Sequence, residues 1–77
     1  MTPQRLKDKA AWFLIYGGTT IAQVGIISAA VAAGFVDRTA ARVMSRAAGK
    51  ISPSLKRSAW KKYQETGSIA DALNEFF

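Results

Sequence analysis

The side chains best able to do chemistry in this 77-residue chain are cations, and they are gathered in one stretch. Residues 38–64 hold eight Lys or Arg (Arg38, Arg42, Arg46, Lys50, Lys56, Arg57, Lys61 and Lys62) and no Asp or Glu. The first four recur at every fourth position, which strings them along one drifting face of a helix. A face of this kind pairs with phosphate, whether on anionic lipid headgroups or on nucleic acid. Trp60 and Tyr63 stand among the later cations. Aromatic rings between cations suit the headgroup layer of a membrane, and they suit stacking on single-stranded bases equally well. A formal net charge of +6 strengthens the expectation of an anionic partner without choosing one.

Other chemistry is poorly provided for. The chain has no Cys and no His, which removes thiolates, the commonest metal ligand and the usual general base at neutral pH. Its five carboxylates are Asp8, Asp37, Glu65, Asp71 and Glu75, none of them inside the long uncharged segment where burial would raise a pKa. A chain this short also leaves little room for a catalytic cavity. The expectation is a protein without enzymatic activity, cofactor or metal.

The elements that must position the cations begin with that uncharged segment. Residues 10–36 are 27 consecutive positions without a charge. A helix over 12–36 would be roughly 37 Å long, enough to cross a hydrocarbon core of about 30 Å with some tilt. Trp12 and Tyr16, one turn apart, would mark its entry as interface aromatics, with Trp60 and Tyr63 in the same role at the other side. Gly18, Ala22, Gly25, Ala29 and Ala32 follow at steps of four and three, a small-residue stripe suited to close packing on another membrane helix. Gln23 beside it would hydrogen-bond to that neighbour. Competing readings are a helical hairpin broken at Gly17-Gly18 between Pro3–Tyr16 and 19–36, a secretory signal peptide, and a helix-turn-helix over 20–39. The apolar run is too long for the signal peptide, and the helix-turn-helix is set aside because that stretch lacks a polar outer surface.

After the boundary, Asp37 is placed to cap a helix with Val36, Ala40, Val43, Ala47 and Ile51 on its apolar side. No Pro or Gly lies between Phe35 and Ala48, so a continuous extension of the preceding helix is an alternative. Gly49 ends the basic helix; Ser52-Pro53 opens the next, with Leu55, Ala59, Trp60 and Tyr63 making one apolar and aromatic side, the plainer reading being that the two rings pack on the last helix. Thr66-Gly67 breaks that one, and Ser68 with Asp71 caps a last helix carrying Ile69, Ala72, Leu73 and Phe76, while Phe76 and Phe77 seek a membrane or a partner groove.

The expected fold is all-α: a short basic tail over 1–11, one transmembrane helix over 12–36, then a basic extramembrane region over 37–77 made of an amphipathic helix and a short C-terminal helical hairpin. Three cations before the span and eight after it put the C-terminal half on the cytoplasmic, matrix, stromal or inner viral side. The expected function is that of a non-catalytic single-pass accessory or structural subunit of a membrane assembly, held by anionic lipid and by other transmembrane helices. Two alternatives stand beside it. One is a membrane-anchored nucleic-acid-binding protein of a lipid-containing virion, the other a holin-like membrane-perturbing protein.

Overall fold

The computed structural model describes residues 2–17 and 20–76. These residues are all-helical: α1 (Pro3–Tyr16), α2 (Ile21–Ala32), α3 (Arg38–Ala47), α4 (Pro53–Thr66) and α5 (Ile69–Leu73), with single 3-10 turns at Ala48–Lys50 and Asn74–Phe76.

Each helix starts and stops where its own sequence satisfies the end groups. Thr2 caps α1 by accepting from the Arg5 N–H, and Pro3 occupies the first helical position. The helix ends at Gly17, whose φ of 98° is open to a residue without a Cβ, and whose N–H donates to the Phe13 carbonyl. A complete capping box then begins α2. Gln23 N–H donates to Thr20 Oγ1 at 3.2 Å, and Thr20 N–H donates to Gln23 Oε1 at 3.1 Å.

The stretch 12–36 is therefore divided, and α1 and α2 meet at a bend of 118°. By length and apolarity the bent pair together resembles a membrane span, but among the described residues no single helix is long and apolar enough to cross one. Gln23, expected to reach a neighbouring helix, is instead occupied at its own helix start. Likewise, residues assigned to a basic tail lie mostly within α1.

α2 does not run on into α3. Gly34, at φ 83°, donates to the Val31 carbonyl, and Phe35 N–H donates to the Ala30 carbonyl, the paired bonds of a Schellman ending. Asp37 Oδ2 then accepts from Thr39 and Ala40 N–H at 3.0 and 3.2 Å, as expected of a cap. Ser52, Pro53, Gly67 and Ser68 bound α4 and α5 in the expected roles.

α1 is the centre of the bundle. Its Ala10, Ala11, Leu14 and Ile15 are fully buried, against Ile27 and Ala30 of α2, Ala41 and Met44 of α3, Ala59 and Tyr63 of α4, and Ile69, Ala72 and Leu73 of α5. The Cα radius of gyration of 11.0 Å is close to the ~11.5 Å of a chain this length folded on one core. Two residues of the expected apolar sides, Val43 and Leu55, are exposed. On α3 the inward positions are Ala41 and Met44, one residue round from Val43, because the face is set by packing on α1 and not by the most apolar side chains.

Candidate anion-binding face

α3 is the most strongly amphipathic element. Met44 and Ala41 hold one side in the core, while Arg38, Thr39, Arg42, Ser45 and Arg46 are exposed on the other. Arg38 to Arg46 is eight helical steps, about 12 Å. Lys50 beyond α3, and Arg57 and Lys61 on α4, are exposed as well, whereas Lys56 and Lys62 are half-buried. Carboxylates nearby do not neutralise this face by sequence position, since 38–64 contains none and Asp37 accepts bonds from the α3 N-terminus.

Between α2 and α3 lies an open groove of about 380 Å³. Val24, Ile27 and Val31 line it from α2, and Arg38, Ala41, Arg42 and Ser45 from α3. The outer side of α2 continues this apolar surface: Ile21 is 93% exposed and Val24 51%, and Ala22, Gly25, Ala29 and Ala32 are exposed too. Of the small-residue stripe, Gly18 falls outside the described residues, as does Phe77. The other four are exposed and form an outward face of α2 among the described residues.

The four aromatic residues assigned to membrane interfaces come together on each other. Trp12 stacks at 4.2 Å on Tyr16 and meets Trp60 edge-on at 5.1 Å, and Trp60 lies 5.3 Å from Tyr63. This cluster fastens α4 to α1. Beneath it is a contact that sequence reasoning missed. Asp8 Oδ1 accepts from Tyr63 Oη at 2.5 Å and from Gln4 Nε2 at 2.8 Å, at one edge of a cleft of about 290 Å³ that Trp60, Gln64 and Gly67 also line. The only local signal was the Gln4, Asp8, Ala11, Ile15 spacing, which puts Asp8 at the polar end of a buried stripe. Lys7 is likewise engaged, its Nζ 5.8 Å above the Phe35 ring, pinning the turn between α2 and α3 to α1.

Burial pushes the Tyr63 phenol well above its ordinary value of 10.0, and the hydrogen bond to Asp8 and that carboxylate's charge push it further. A phenol shifted this way is a poor base or nucleophile at neutral pH, so its role is structural. An unfolded chain ionises its phenol from about pH 10 while the folded one keeps its proton, so this contribution to stability is complete below pH 10 and is lost as pH rises. Urea titrations at stepped pH are expected to show that loss in the native chain and its absence in Tyr63→Phe. The variant should start about 1.5–3 kcal/mol lower at pH 7, the usual value of a hydrogen bond to a charged group. Equal alkaline slopes in the two proteins would refute this assignment.

Among the described residues no three His, Cys, Asp or Glu side chains gather in a way that could hold a metal ion. Compared with protein-family models, curated proteins and solved structures, the chain matches none. What the surface offers is therefore the guide to function: a helix face of arginines and an apolar groove beside it.

Proposed function

We propose that this is a non-catalytic binding protein that engages duplex nucleic acid through α3. The observation that carries the reading is the exposed row Arg38, Arg42 and Arg46 on a helix held from behind by Ala41 and Met44. α2, the turn at 33–37 and α3 follow one another in the order of a helix-turn-helix, whose second helix enters the major groove. The polar outer surface that 20–39 lacks is supplied by α3, of which that window includes only the first two residues. Duplex is favoured over single strand because the rings that could stack on bases are packed on one another.

Six exposed cations, Arg38, Arg42, Arg46, Lys50, Arg57 and Lys61, give the reading a number. If all engage phosphate, log K should fall with log salt at a slope near −5 on B-form DNA. Fluorescence anisotropy on a mixed-sequence duplex between 50 and 300 mM NaCl tests it. A flat dependence, or tighter binding to single strands, would sink the proposal.

A second reading is favoured by α2, which is apolar nearly all round and leaves Ile21, Val24 and its small residues exposed. Helices of that kind are ordinarily covered. In this reading the protein is an accessory subunit of a membrane assembly, docked by Ala22, Gly25, Ala29 and Ala32, with its basic C-terminal half against anionic headgroups on the inner side. A single span over 12–36 would require the 118° bend to open and Leu14 and Ile15 to leave the core. Flotation with phosphatidylglycerol vesicles that survives high salt and alkaline carbonate would support the span; release by salt alone would exclude it.

A further inference from the structure

We propose that the groove between α2 and α3 receives an amphipathic helix of a partner protein, with its apolar ridge bordered on one side by Asp or Glu. The floor is aliphatic, formed by Val24, Ile27, Val31 and Ala41, and Val24, in the first turn of α2, is half exposed. Charge is confined to one wall. α3 contributes Arg38 and Arg42, while the α2 wall contributes Ser28 and no charged group.

The dimensions fit a helix. Val24 to Val31 on one wall and Arg38 to Ser45 on the other each cover seven helical steps, about 10 Å or two turns. That is the length over which a docked helix presents its i, i+3 or i+4, and i+7 anchors. Arg38 and Arg42 stand one turn apart, the spacing at which two carboxylates four residues apart on a neighbouring helix would meet them. A lipid would match less of this: its single phosphate answers one arginine, and its acyl chain would extend beyond a two-turn groove that is open along its length. The inference does not rest on the duplex reading, since phosphate binding makes no use of the aliphatic floor.

The test uses the full chain and a designed probe, an 18-residue fluorescein-labelled helical peptide with a Leu ridge and two Glu four residues apart along one border. Its control carries Lys at those two positions. The Glu peptide should bind at least about tenfold more tightly than the Lys peptide, tenfold being about 1.4 kcal/mol. Val24→Asn should weaken it by about tenfold by removing the floor contact, without changing duplex affinity. Should Val24→Asn lose helical signal, the same comparison is made with Val24→Ala, which introduces no polar group. Equal binding of the two peptides, no binding of either, or indifference to Val24 would overturn the proposal. Val24-dependent binding of phosphatidylglycerol vesicles with no peptide binding would overturn it in favour of lipid. Loss of duplex binding alone would leave it standing.

Discussion

Leu14→Ala is expected to destabilise this protein by about 2–5 kcal/mol, the cost of deleting a buried leucine side chain whose surroundings relax only in part. Leu14 is 1% exposed at the centre of α1, and small domains of this length hold together by roughly 4–12 kcal/mol, so one substitution removes a large share of the total. Leu55→Ala serves as the control. It deletes the same atoms from a residue 43% exposed on α4 and should cost less than about 1 kcal/mol. The comparison also separates the two architectures open to 12–36. In the bundle, Leu14 packs among the core residues of five helices; on a continuous span it would be one of many side chains meeting lipid, where Leu→Ala removes little packing. Chemical denaturation followed by far-UV circular dichroism decides between them, and a Leu14→Ala midpoint equal to that of Leu55→Ala would refute the bundle core.

The helix caps were legible in the sequence because each is a short-range device: Asp37, Ser52-Pro53, Gly67 and Ser68 act on backbone groups within four residues. The C-terminal hairpin of α4 and α5 was readable for the same reason. The break between α1 and α2 is encoded just as locally, in Gly17 and in the Thr20-Ile21-Ala22-Gln23 capping box. It was outweighed by hydropathy, because an apolar run has the same composition whether it is straight or folded back. The charges ahead of the run added to the effect. Arg5, Lys7 and Lys9 look like the flank of a span, yet in α1 they alternate with the Leu6 and Ala10 side that turns inward.

The remaining features depend on contacts that no local pattern holds. Tyr63 and Asp8 are 55 residues apart, and Trp60 meets Trp12 across the bundle. Aromatic side chains interleaved with cations suggested an outward, ligand-facing surface, but rings are also the side chains that fasten two short helices with the most buried area. The cations were legible as a face; that it lies beside an aliphatic groove was not, since the groove exists only because the Schellman ending at Gly34 turns α3 back alongside α2.

Converting Arg38, Arg42 and Arg46 together to Ala should weaken duplex binding by about two orders of magnitude near 0.15 M salt, the largest functional effect this surface offers. The figure follows from counterion release: each phosphate contact contributes about 0.9 to the salt slope, so losing three lowers log K by about 2 at that concentration. The slope itself should fall from near −5 to about −2.5. Three outward Ala substitutions leave the buried side of α3, Ala41 and Met44, untouched and raise helix propensity slightly, so the variant is expected to fold and to melt within a few degrees of the native chain. A control double at Arg5 and Lys9 removes two charges from exposed positions on α1, outside the six cations counted for the duplex, and should lose much less affinity per charge. The pair of variants distinguishes a located site from the general attraction of a +6 protein for a polyanion. If both variants lost affinity equally per charge removed, net charge and not the α3 face would be the source of binding. If neither lost it, the duplex reading would fall, leaving the uncovered side of α2 as the protein's principal means of contact.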